Sequence, residues 1–273
     1  MRRRTIKNEA SVSGIALHSG KDSKISFRAG SDGIVFIRSD LPGKPAIKAT
    51  LSNVYDTKRG TSLRSGAAEV HVIEHVLSAV NALRITDLVI DISGTEPPAL
   101  DGSAIGYFTL LKDAKIVDLA GEALPIKISR EILVQDGSGV LIASPADRFS
   151  ISFMIDFSGT PIGTQEFSSS IDEKTFERDI APARTFGFVE DVEALKKMGL
   201  ALGASEKNAL VVNKDGYVNK PRFKDEAVRH KVLDLIGDLG LLGRPLIARV
   251  SGERSGHKLN IALAALIEKE EKN

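Results

Sequence analysis

The stretch AVRHKVLDLIGDLG, beginning at Ala227, sets His230, Asp234 and Asp238 four residues apart. At about 3.6 residues per helical turn they form one stripe, and an imidazole and a carboxylate so spaced can share a metal ion. Val228, Val232, Leu235 and Leu239 fall on the opposite face, so the stripe also matches the wet side of an amphipathic helix. A second stretch, HVIEH at 71–75, fits the H-x-x-E-H pattern of one class of zinc peptidases, with Glu74 placed to activate water. His75 can instead join His230 and Asp234. Two imidazoles, one carboxylate and an open fourth position make the ligand count of a hydrolytic zinc site. Pattern alone leaves these readings side by side.

Composition restricts the chemistry further. The 273 residues include five histidines and no cysteine, so a metal must be held by His and carboxylate, and no thiol nucleophile or disulfide exists. Absence of cysteine favours a reducing compartment, and a cytoplasmic protein is expected. With 37 Lys+Arg against 36 Asp+Glu there is no electrostatic footprint for nucleic acid or an anionic membrane. The basic start MRRRTIKNEA has no apolar run behind it and does not read as a signal peptide. No window approaches the roughly 20 apolar residues of a membrane span. There is no Walker-type glycine loop and no dinucleotide fingerprint, so any nucleotide would serve as a substrate handle.

Elements must position these residues. SKISFRAG and GIVFIRSD read as short strands, and AEVHVIEHVLSAVNALR has helical spacing through Val72, Val76, Ala79 and Leu83. TDLVIDISG reads as a strong buried strand, and a helix is expected from Ala104 to Ala114. The pattern resets at 115–125, after which LPIKISREILVQ and FSISFMIDFS resume strands. Helices are expected near 172–179, 189–198, 225–242 and 257–271, with a strand at PLIARVSG and a solvated end in IEKEEKN. Strands, helix, strand, helix therefore occurs twice, without a literal repeat. The chain is expected to divide into two units, residues 1–120 and 121–273.

Seven segments, in order from residue 14 to 260, carry a family resemblance: GIALHSG, VIEHVLSAV, EPPALDGSA, APARTFGF, GLALGAS, FKDEAVRHKVLDLIGDL and SGHKLN. The chain resembles the zinc-dependent UDP-3-O-acyl-N-acetylglucosamine deacetylases of lipid A biosynthesis over nearly its whole length. The resemblance implies an α+β fold of two β-α-α-β sandwich domains whose helix layers pack together, with the active site at their junction. Small inserts are expected near 56–70 and 189–213. It implies His75, His230 and Asp234 as ligands of one Zn2+ per chain, Fe2+ being accepted by the same donors. Glu74 becomes the general base, His257 the cationic general acid, and Asp238 the group that orients the acid. The hydroxyl of Thr185 supports the oxyanion. The implied reaction releases acetate from the 2-acetamido group of a UDP-linked, 3-O-acylated glucosamine, the committed step of the pathway.

For substrate binding the resemblance points to an acyl passage from Phe186, Phe188, Val189 and Val192, continued by Leu195, Leu200 and Ala201. Lys231 and Arg254 would meet the diphosphate, and His18 would lie near the substrate. The substrate is a small molecule and a monomer is expected. His71 becomes a bystander. Some positions depart from the family: Ser144 stands where many members have lysine, Gly60 where cysteine is frequent, and Lys258 and Ile261 where Ala and Asn are usual. Two alternatives remain, an H-x-x-E-H zinc peptidase with His71 on the metal, and a non-catalytic binder of acylated sugar nucleotides.

Overall fold

The computed structural model describes residues 1–271. Lys272 and Asn273, the end of the expected solvated tail, lie outside the described residues, while the rest of IEKEEKN continues the last helix to Glu271.

Two five-stranded sheets with the same strand plan form the outer layers. In the first, the spatial order is Ala10–Ile15, Asp22–Ala29, Leu88–Ser93, Ile34–Arg38 and Ala46–Lys48. In the second it is Ile132–Asp136, Gly139–Ser144, Arg249–Glu253, Ser150–Phe157 and Gly163–Ser170. Each sheet is therefore two antiparallel pairs with a late strand inserted between them. That strand runs parallel to one neighbour and antiparallel to the other. For each sheet a helix precedes the inserted strand and another follows it: α1 (Glu74–Ala82) and α2 (Ile105–Asp113), then α5 (Glu226–Leu239) and α6 (His257–Glu271). A turn at Glu173–Thr175 (α3), widened over Phe176–Ile180, and α4 (Val192–Lys197) lie between. The molecule is the expected α+β fold, and its doubling is topological.

The inserted strand Leu88–Ser93 is less buried than its composition suggests. Leu88, Ile90 and Ile92 are buried, whereas Asp91 on the other face pairs with Arg28 at 2.8 Å. A half-covered sheet has one wet face, so alternation replaces the expected fully buried run. Several strands lacked a sequence signal, among them Ile116–Glu122, Gly139–Ser144 and Gly163–Ser170. Ile116–Glu122, in the expected reset, pairs with Arg2–Ile6. Gly139–Ser144 lies inside the second sheet. Gly163–Ser170 is an edge strand with little apolar content, held by its ladder to Ser150–Phe157.

Helical spacing over 68–84 is only partly realised. Ala68–Val70 is a strand that pairs with Ser62–Ser65, and Val72 has a left-handed φ of 54° before α1 starts at Glu74. His71 is consequently off the helix, and His71 and His75 do not share a helical face. The premise of the peptidase alternative fails on this point.

The inner layers meet where α1 crosses α5. A Cβ at Gly237 would lie 2.1 Å from the Glu74 carbonyl oxygen, so only glycine allows this approach. Asn81 donates to the Ile236 carbonyl at 3.0 Å across the same seam. On α5 the apolar residues Val228, Val232, Leu235 and Leu239 are buried, but so are His230, Asp234 and Asp238. The polar stripe is not a wet face. Two small three-stranded sheets, Val54–Asp56 with Ser62–Ser65 and Ala68–Val70, and Phe186–Phe188 with Leu210–Asn213 and Gly216–Tyr217, flank this junction. Among the described residues no helix is long and apolar enough to cross a membrane.

Candidate active site

Buried polarity on α5 has a partner on α1. His75, in the first turn of α1, places Nε2 3.9 Å from Asp234 Oδ1, and His230 Nε2 lies 3.4 Å from the same oxygen. The two rings are 5.0 Å apart at 80°. His230 Nδ1 donates to the carbonyl of Ala183 at 3.1 Å, which leaves Nε2 as the free lone pair. Burial lowers the His75 imidazole to about 3, with the neighbouring His230 adding, and burial also lowers His230. Both rings are therefore neutral, the form that ligates a metal. Asp234 Oδ2 accepts Lys231 Nζ at 2.8 Å, whereas the buried Oδ1 has no hydrogen-bond partner among the described residues. Burial works to raise the Asp234 carboxyl, but His230, Lys231 and His257 outweigh it and hold it below the ordinary range. An orphaned buried carboxylate oxygen is costly unless something fills the space beside it. The ligand atoms of His75, His230 and Asp234 lie within 4.8 Å of one another. These residues fit a divalent cation.

Acid–base groups lie beside this cluster. The Glu74 carboxylate accepts the Thr61 N–H on Oε2 at 3.0 Å, while Oε1 stands 3.9 Å from His257 Nε2. Burial pushes Glu74 up to about 7 against the pull of His257. His257 opens α6, and its Nδ1 donates to Asp238 Oδ2 at 2.9 Å. Burial works to lower His257, but Asp238 and Glu74 overcome it and raise the imidazole to about 9. A carboxylate poised near neutrality thus faces an imidazolium. Asp238 also accepts the Thr61 hydroxyl at 2.5 Å and Asn260 Nδ2 at 2.8 Å.

A cavity of about 1410 Å³ opens from these groups. Ordinary small-molecule pockets hold about 300–1,000 Å³, so there is room for a substrate with a long appendage. Thr185, Phe186, Phe188, Val192, Leu195 and Ala201 line it, as do His18, Lys231 and Arg254. Phe157 lines it too, its ring 5.5 Å from that of Phe186 and 5.9 Å from that of Phe188. Val189 and Leu200 do not line the cavity. Val189 turns to solvent, 45% exposed, at the bend before α4.

A sequence model of the family described as UDP-3-O-acyl N-acetylglycosamine deacetylase matches residues 3–269. The chain belongs to this family. It is 39% identical over 269 residues to the UDP-3-O-acyl-N-acetylglucosamine deacetylase of Leptospira biflexa, covering 97% of this chain and 89% of the relative. The proteins of that name from Acidithiobacillus ferrooxidans and Pseudomonas entomophila are each 40% identical, over 96% and 95% of this chain and 88% of each relative. The family is one of metalloenzymes, in keeping with the His75–His230–Asp234 cluster.

Several residues expected at the site have their polar atoms already engaged. Lys231 is bound to Asp234, and Arg254 donates to the Ser138 carbonyl at 3.2 Å and lies 3.5 Å from Asp156. His18 accepts the Ala201 N–H on Nδ1 at 3.3 Å and donates Nε2–H to the Arg59 carbonyl at 3.1 Å. It thereby holds two segments of the cavity wall together. Ser144 is bound to Glu131 at 2.9 Å, away from the cavity lining. His71 bonds Ser62 Oγ at 3.0 Å and Tyr55 OH at 3.2 Å, outside the cluster. Thr61, Asn260 and Phe157 were not found by sequence reasoning. Asn260 sits in a quoted motif, SGHKLN, but Thr61 and Phe157 reach the site only through tertiary packing.

Proposed function

We propose that this chain hydrolyses the 2-acetamido group of UDP-3-O-acyl-N-acetylglucosamine, releasing acetate and the free amine, the committed step of lipid A biosynthesis. We further propose two α+β domains, residues 1–120 and 121–273, that share this one site, and a reaction in the cytoplasm. The observation that carries the reading is the buried, unpartnered Asp234 Oδ1 beside two imidazole Nε2 atoms, at the head of a cavity with an apolar wall. His75, His230 and Asp234 would hold one cation, Zn2+ by the softness of two imidazoles, with Fe2+ accepted by the same donors. When bound, the cation supplies Lewis acidity to the amide carbonyl and to water.

The protein groups account for the proton movements. Glu74 accepts a proton from the attacking water at Oε1 as the oxygen adds to the amide carbon. The hydroxyl of Thr185 supports the developing oxyanion from the cavity wall. His257 hands the Nε2 proton to the amide nitrogen as the C–N bond breaks, which makes the amine a competent leaving group. Asp238 keeps Nδ1–H in place and favours the charged imidazole throughout. The acyl chain lies along Phe186, Phe188, Val192, Leu195 and Ala201, and Phe157 joins that wall.

Metal content and acetate release in three variants test this reading. His230→Ala should lose the metal, His71→Ala should keep both properties, and Glu74→Gln should keep metal while losing about 10²–10⁴ in rate. Loss of metal in His71→Ala with retention in His230→Ala would favour the peptidase-like assembly instead.

A further inference from the structure

Thr61 is a fully buried residue just before the strand Ser62–Ser65, and both of its hydrogen-bond donors are spent on carboxylates of the acid–base machinery, Glu74 and Asp238. Its N–H donates to Glu74 Oε2 at 3.0 Å and its hydroxyl donates to Asp238 Oδ1 at 2.5 Å. Its carbonyl accepts the N–H of Ile73, the residue before α1, at 3.3 Å. A fully buried position beside a strand is ordinarily satisfied by an apolar β-branched side chain, and a hydroxyl there must find a partner. Here the partner is a carboxylate 177 positions away in sequence.

The result is a division of labour within each carboxylate. Glu74 gives Oε2 to Thr61 and turns Oε1 toward His257 Nε2, 3.9 Å away. Asp238 gives Oδ1 to Thr61 and Oδ2 to His257 Nδ1, 2.9 Å away. Asn260, itself held by Ser255 at 2.9 Å, closes the remaining side of Asp238. Close approach of the Thr61 backbone is permitted by Gly60, whose φ is +151° and where a Cβ would lie 3.0 Å from Glu74 Oε1 and 3.3 Å from the Val72 side chain.

We propose that Thr61 is a positioning residue for the deacetylation: by one N–H and one O–H it fixes Glu74 and the Asp238–His257 pair relative to each other across the two units. Thr61 moves no proton itself. This rests on the assignment of Glu74 and His257 as base and acid. Groups that hold a catalytic side chain in one orientation typically contribute about 10–100-fold in activity.

Thr61→Val keeps the shape and the backbone N–H and removes only the O–H. In the metal-loaded enzyme acting on UDP-3-O-acyl-N-acetylglucosamine, kcat should fall about 10–100-fold with KM and metal content unchanged. Thr61→Ser should restore kcat to within a few-fold of the parent, a rescue that simple packing would not produce. Ser62→Ala, whose hydroxyl faces His71, should leave kcat unchanged. If Thr61→Val does not fold, Thr61→Ala takes its place against Thr61→Ser. The proposal is overturned if the variant without the hydroxyl turns over like the parent, if the serine variant is as slow as it, or if the loss lies only in KM or metal content. Glu74→Gln separates the two levels. An active Glu74→Gln enzyme would sink the base assignment, whereas inactive Glu74→Gln beside fully active Thr61→Val sinks only the role of Thr61.

Discussion

At the scale of single residues, burial decides what each polar group can do. Asp234 is the clearest case, with one oxygen satisfied by Lys231 and the other left without a partner among the described residues. His257 and Glu74 show the same physics with opposite outcomes: burial alone would neutralise both, yet the carboxylates around His257 keep it charged, while Glu74 is lifted toward neutrality. The apolar wall is a second residue-scale feature. Leu195, in α4, faces the cavity without being fully buried. Leu195→Trp should raise KM for a long-acyl substrate by about tenfold, in line with the 1–3 kcal/mol of small misfits in apolar pockets, and leave a short-acyl analogue nearly unaffected. Steady-state kinetics with the two substrates checks this. Equal losses on both would place the acyl chain elsewhere.

At the scale of elements, the site depends on the seam between α1 and α5. Gly237→Ala puts a methyl 2.1 Å from the Glu74 carbonyl oxygen, and the helices must part. Overpacking of this kind costs about 1–3 kcal/mol or more, and thermal denaturation should show a Tm several degrees lower, with reduced turnover because Glu74 and His75 move with α1. Gly240→Ala is the control at the end of the same helix. Its Cβ would meet only ordinary contacts at 3.6–3.7 Å, and its φ of −59° suits any residue. It should be neutral or stabilising by about 0.4–1 kcal/mol, through the unfolded chain. Helix spacing in the sequence anticipated α5 and α6 well, but over 68–84 it ran a strand and a helix together. The ladder from Leu63 to Val70 and the left-handed Val72 break the helix there, and neither is a local preference of the segment.

At the scale of the whole molecule, a buried ion pair ties a flanking segment to the helix layer. Glu226, at the start of α5, accepts Arg184 Nε at 2.8 Å, the Arg184 N–H at 3.0 Å and the Arg222 N–H at 2.6 Å. This holds the segment that carries Ala183, the acceptor of His230, and Thr185. Burial works to raise the Glu226 carboxyl, but Arg184 and the backbone donors win and hold it below its usual 4.5. A folded-state value depressed in this way stabilises fully above the unfolded value and is lost as pH falls through the folded one. Glu226→Gln should therefore be destabilised at pH 7, with its deficit shrinking as pH drops below the ordinary carboxylate range. Urea unfolding from pH 7 to pH 3 measures it, and a deficit independent of pH would count against the ion pair.

The types and spacings of residues on α5 and at 71–75 determined by themselves that a His–carboxylate site was available, because a helix repeats every 3.6 residues and cysteine is absent. Seven ordered segments determined the family, whose resemblance implied the α+β class, and the doubled strand–helix order agreed with it. Only the tertiary structure decided that the stripe His230–Asp234–Asp238 is buried, that His71 stands apart from His75, and that Thr61, Asn260 and Phe157 belong to the site. It also removed Val189 and Leu200 from the cavity wall. The physical reason is common to all of these. Periodicity describes a segment's own faces, whereas burial and partnership depend on what another segment, often more than a hundred residues away, places against them.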